Sequence, residues 1–183
     1  MSAGDRRPGV RRFRRVAIAV VIIFLVVTAG LVYWPAEPLP KGFVADRVVV
    51  EKSARRLSLL RDGQVIKSYR VSLGRAPVGA KIQEGDNRTP EGTYVIDSRN
   101  PRSKFHLSLR ISYPNASDSL SAARRGVSPG GDIMVHGLPN GREWVGPFHR
   151  LVDWTSGCIA VTNAEINEIW QAVPNGTAIE IRP

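Results

Sequence analysis

Two short apolar segments flank an Asp-Gly pair early in the chain. Leu57-Ser-Leu-Leu60 precedes Asp62-Gly63, and Val65-Ile-Lys-Ser-Tyr-Arg-Val71 follows it. Asp-Gly supplies the positive φ angles of a tight hairpin turn, and β-branched and aromatic residues on either side favour strands. Further strand signals recur at Val48–Val50, Tyr94–Asp97, Leu107–Ser112, Ile133–His136 and Ala178–Ile181. The segments 74–91 and 115–131 hold the Gly, Pro, Asn and charged residues of long loops, the second with room for a short helix over Ser119–Arg125. One helix is clear. Thr162 and Glu165 have the spacing of a capping box. Ile166, Ile169, Trp170 and Val173 fall on one face, and Asn175-Gly176 ends the run. These signals predict a mainly β, sandwich-like domain with one C-terminal helix before the last strand.

The net charge of +10 is unevenly spread. The first fifteen residues hold six arginines against Asp5, which is +5 and half of the total. That leaves little excess charge for a nucleic-acid surface, and no nucleic-acid partner is expected. Val16–Trp34 then runs nineteen residues without a charge. At about 1.5 Å per residue it approaches the roughly 30 Å of a bilayer core. Arginines before it and Tyr33-Trp34 at its end follow the pattern of a single-pass helix with its N-terminus in the cytoplasm. A cleaved leader ending near Thr28-Ala29-Gly30 is the competing reading. The expected organisation is a basic tail over 1–15, a transmembrane anchor over 16–34, a Pro-rich linker over 35–44 and a folded domain over 45–183. The domain would then face outward from a cytoplasmic (inner) membrane, with the membrane a partner through the N-terminal helix.

Cys158 is the one cysteine in the chain. A lone thiol outside the cytoplasm is either a buried small hydrophobe or a reactive group. A reactive thiol needs a base or a positive field. His136 ends a strand, and Gly137 after it leaves the carbonyl free to turn and hold the imidazole tautomer. A turn at Ser156-Gly157-Cys158 can aim consecutive amides at an oxyanion. His149 lies nine residues before the thiol and is a candidate to line a cleft. Arg88 and Arg142 read as solvated surface, with substrate carboxylates as the alternative partner. Three separated histidines and one cysteine have no metal-ligand spacing, so neither a metal nor another cofactor is expected.

His136-Gly137 followed by Thr155-Ser156-Gly157-Cys158-Ile159 resembles the signature of the L,D-transpeptidase catalytic domain (YkuD) family. Thr89-Pro-Glu-Gly92 resembles another segment of that family. Phe105-His-Leu107 with Ile111-Ser-Tyr-Pro-Asn115 is similar to a branch that includes periplasmic hydrolases of peptidoglycan-linked peptides. The resemblance covers about Val48 to Arg182. Two positions depart from the pattern, Ser156 where most members have histidine and Ala160 where many have arginine, and they point to a variant Ser-Gly-Cys branch. The resemblance implies Cys158 as nucleophile, His136 as base, Gly137 as the orienting carbonyl and amides of Ser156, Gly157 and Cys158 as the oxyanion hole. His106, Tyr113, Asn115, His149 and Thr155 are the candidate substrate contacts. The implied substrate is a peptidoglycan stem peptide, cleaved through an acyl-enzyme that an amine or water resolves. A hydrolase of the same fold and a non-catalytic wall-binding module are the alternatives.

Overall fold

The computed structural model describes residues 8–32 and 37–183. The chain divides into two compact units, Met1–Pro38 and Leu39–Pro183.

The described part of the first unit is helix α1, Pro8–Val32. Its uncharged stretch is Val16–Val32, seventeen residues. Among the described residues no helix is long and apolar enough to cross a membrane. This overturns the transmembrane anchor, the single-pass inner-membrane location and the membrane as a partner. Tyr33 and Trp34, the expected interfacial pair, lie outside the described residues.

The second unit is built on strands β1 (Arg47–Glu51), β2 (Arg56–Arg61), β3 (Gln64–Arg70), β4 (Gly92–Ser103), β5 (His106–Ile111), β6 (Met134–His136), β7 (Ile159–Ala160) and β8 (Ala178–Arg182). Helices α2 (Ala116–Arg124) and α3 (Asn163–Ala172) and a 3-10 segment, Glu143–Leu151, complete it. The expected hairpin forms between β2 and β3 across Asp62-Gly63, with Asp62 at φ 52° and Gly63 at φ 75°.

The sandwich-like expectation needs correction. The strands form one mixed sheet in the order β3-β2-β1-β8-β4-β5-β6-β7, with parallel pairs β1–β8 and β6–β7. The reason is β4. Its first residues pair with β8 and its later ones with β5, so one strand of twelve residues belongs to both halves. Register shifts after Ile96 and after Asn100 bend it between them, as bulges do. The two ends of the order also meet. Leaving β3, the chain bridges to β7, where Ser72 N–H donates to Ala160 O at 3.0 Å and Ala160 N–H to Ser72 O at 2.8 Å.

Three helical segments accompany the sheet rather than one. Helix α3 carries the capping box in full, with Glu165 N–H on Thr162 Oγ1 and Thr162 N–H on the Glu165 carboxylate. Its Ile166 and Ile169 are buried, and it packs on β5. Helix α2 begins three residues earlier than its sequence pattern suggests, because Asn115 and Asp118 form a second capping box. The core gathers Val48, Val50, Leu57, Leu59, Ile96, Leu109, Ile111, Val135, Ile159, Ile179 and Ile181. Lys52 is 2 % exposed and lies at its margin. Its ammonium donates to Gly79 O at 2.6 Å, Thr89 O at 3.0 Å and Glu91 Oε1 at 2.7 Å, which fastens the loop over 74–91 to the end of β1.

Candidate active site

The site stands on the β6–β7 pair. Val135 lies opposite Ile159, and His136 opposite Ala160. Side chains alternate along strands. With Val135 and Ile159 in the core, Met134, His136, Cys158 and Ala160 belong to the other face. The parallel register therefore brings His136 and Cys158, far apart in sequence, to one side of the sheet.

His136 is 3 % exposed. Its Nδ1–H donates to Gly137 O at 2.7 Å, and because a carbonyl only accepts, Nε2 is left bare. Burial pushes the imidazole down to about 4, against a smaller opposing effect of the Gly137 carbonyl, so the ring is neutral near pH 7. Its faces are held by aromatic neighbours. Phe105 lies 4.4 Å away, ring centre to ring centre, at 37°, and Trp154 lies edge-on at 5.7 Å and 68°. Gly137 is sterically required. A Cβ there would stand 2.7 Å from Asn163 Oδ1 and 3.0 Å from Phe105 O.

Cys158 is half-buried. Burial raises its pKa, and a hydrogen bond from the Met134 backbone only partly offsets this. The thiol contacts Asp132 O at 3.6 Å. The resting pair is thus a neutral thiol and a neutral imidazole, with no hydrogen bond between them.

The turn before the thiol is built by several anchors. Arg55 grips the Asp153 carboxylate with N–O distances of 2.9 and 2.7 Å, and Asp153 also accepts Leu73 N–H at 2.8 Å. Thr155 is buried; its hydroxyl donates to Cys158 O at 2.7 Å and accepts Gly157 N–H at 3.1 Å. Gly157 sits at φ +129°, and a Cβ would meet Arg88 O at 2.7 Å. The Gly157 amide is therefore engaged within the turn. Those of Ser156 and Cys158 have no acceptor among the described residues. Two of the three turn amides are thus left without an acceptor.

The candidate substrate contacts separate. Asn115 caps α2. Tyr113 is buried, donates its hydroxyl to Pro129 O at 3.0 Å and stands edge-on to Tyr94. Thr155 is engaged in the turn, as above. His106 opens β5 at φ +66° and meets Asn167 Oδ1 at 2.9 Å through Nε2. His149 is buried beside Trp154, whose indole N–H points to its Nδ1 at 3.4 Å, while Ser72 Oγ lies 3.1 Å from the same nitrogen. Burial, then the charges of Arg150 and His136, push its pKa down to about 4. Of the five, only His149 connects to His136, and it does so through Trp154. The structure adds Phe105 as a ring against His136; Trp154, which the sequence offers as either a cleft wall or plain packing, also stands against it. Among the described residues no group of three or more His, Cys, Asp or Glu side chains is arranged to hold a metal ion.

The model of the L,D-transpeptidase catalytic domain family, YkuD, matches residues 45–181. The "Putative L,D-transpeptidase YafK" of Escherichia coli (strain K12) is 31 % identical over 113 residues, which are 60 % of this chain and 38 % of YafK. The "Putative L,D-transpeptidase YqjB" of Bacillus subtilis (strain 168) is 28 % identical over 155 residues, 81 % of this chain and 77 % of that one. Among solved structures, the helical cell shape determining protein Pgp2 of Campylobacter jejuni superposes with a TM-score of 0.56 at 26 % identity, covering 74 % of this chain and 46 % of Pgp2. The chain thus spans well under half of YafK and just under half of Pgp2.

Proposed function

The chain belongs to the L,D-transpeptidase catalytic domain (YkuD) family, and from that premise we propose that it acts on peptidoglycan stem peptides through an acyl-enzyme on Cys158. The observation that carries the proposal is the bare Nε2 of His136 on the same side of the β6–β7 pair as the thiol, with Nδ1 fixed by Gly137 O. His136 takes the thiol proton as Sγ attacks a peptide carbonyl. The free amides of Ser156 and Cys158 receive the oxyanion, in the way preorganised donors stabilise developing charge. Collapse breaks the C–N bond, and His136 returns the proton to the leaving amine. An acceptor amine then attacks the thioester, gives its proton to His136 and regenerates the thiol. Thr155 and Asp153 hold the turn and do not touch the reacting atoms. Ser156 and Ala160, in place of the more usual histidine and arginine, are assigned to a variant Ser-Gly-Cys branch of the family.

The test is incubation of the chain with purified disaccharide-tetrapeptide, followed by mass analysis of the products. A cross-linked dimer that disappears in Cys158→Ala supports transfer. A shortened monomer that disappears in the same variant turns the reading to hydrolysis. Turnover that survives Cys158→Ala refutes the cysteine mechanism.

A further inference from the structure

Beside His136, Leu138 and Trp154 form one wall of a cleft of about 380 Å³. Its charged lining is entirely basic. Trp154 directs its indole N–H at Nδ1 of His149. Ser72 Oγ, whose own proton goes to His149 O at 3.0 Å, lies 3.1 Å from the same Nδ1, which leaves Nε2 as the ring's other polar atom. That Nε2 is buried and without a partner, a situation proteins seldom tolerate. Arg75 and Arg142 also line the cleft. Among the described residues neither guanidinium pairs with a carboxylate, and no Asp or Glu lines the cleft. The remaining wall includes Phe148 and Val152, both substantially exposed.

Two guanidiniums without a carboxylate, beside an apolar wall and with no acidic residue in the lining, call for a group that accepts. We propose that this cleft binds a carboxylate of a peptide substrate, held by Arg75 and Arg142, with the adjoining aliphatic part lying on Phe148 and Val152. The proposal rests on the reading of the site as a peptide acyl-transfer centre and names the feature of the substrate that the centre selects. A planar carboxylate suits guanidinium forks. Because Trp154 belongs both to this cleft and to the wall of His136, a carboxylate bound here sets the peptide's register at the thiol.

The experiment uses the full chain carrying Cys158→Ala, so that binding is read without chemistry. Calorimetry compares a stem tetrapeptide bearing free carboxylates, the same peptide with every carboxyl amidated, and inorganic phosphate. The free acid is expected to bind about tenfold or more tightly than the amide, the size of a lost charge-assisted contact. The exposed pair Arg75→Gln and Arg142→Gln together should erase that difference while the thermal midpoint stays put. Equal binding of acid and amide would overturn the proposal. So would a difference that survives the double substitution, or displacement of the peptide by phosphate at equal concentration, which would mark a general anion site. Loss of turnover in the wild-type assay would leave this binding result readable, so the two proposals fail separately.

Discussion

Acidification below pH 6.5 should destabilise this domain before its carboxylates titrate, because His136 is buried in neutral form. Its ordinary value is 6.5 and burial lowers it to about 4. Above pH 6.5 the ring is neutral in both the folded and the unfolded chain, and stability is complete. Below it the unfolded chain takes up a proton that the folded ring refuses, so stability is lost as pH falls toward 4. Between pH 7.5 and pH 5 the loss from this ring is about 2 kcal/mol. With a urea dependence of about 2 kcal/mol per molar, the unfolding midpoint should drop by about 1 M. The assay is urea unfolding followed by tryptophan fluorescence at pH 7.5, 6.5, 5.5 and 5.0. His136→Gln lowers stability at every pH through lost packing, but it should flatten the dependence by that same 2 kcal/mol. His149, also lowered to about 4, leaves a residual slope in the variant. Equal slopes for wild type and His136→Gln would refute the buried neutral imidazole.

Gly157→Ala forces a Cβ toward Arg88 O in a backbone region reserved for glycine; a cost of about 1–3 kcal/mol should lower the thermal midpoint by several degrees, and an unchanged midpoint would contradict the clash. Lys52→Met leaves the Glu91 carboxylate and two loop carbonyls without their shared donor. A loss of about 3 kcal/mol is expected in urea unfolding, with Glu91→Gln costing less because the carbonyls keep the ammonium. Alkylation of Cys158 by iodoacetamide should still be accelerating at pH 9, since burial raises the thiol above its ordinary 9.0. A plateau below pH 8 would instead reveal a resting thiolate.

What the sequence made legible was local. The Asp62-Gly63 turn and the Thr162–Glu165 box are each encoded within a few residues, and both form as read. The Asn115–Asp118 box is equally local, but the Gly-, Ser- and charge-rich segment around it reads as loop, and Asn115 also reads as a substrate contact. The single sheet was out of reach, since β1 beside β8 joins residues some 130 positions apart and no composition signals such a pairing. The same holds for Lys52, whose partners at 79, 89 and 91 converge only once the loop is folded. In the candidate site, His136, Gly137 and Cys158 are marked by their identity and order. Phe105 and Trp154 did not, because an aromatic residue in a strand or turn reads as packing until its neighbour is known. The uncharged run that begins at Val16 shows the reverse case, a strong compositional signal that no helix among the described residues matches in length and apolar character.

Ser72 and Ala160 exchange both backbone hydrogen bonds across the two ends of the strand order. That pairing is a clasp, and the thiol lies two residues from it. Local openings of a fold occur as cooperative units, so the amide protons of Ser72 and Ala160 should trade with solvent deuterium together. Each opening also frees the turn of Thr155 to Cys158, which is bridged to the same segment through Gly74. The lifetime of the clasp therefore sets how long the turn that carries Cys158 keeps its shape between openings.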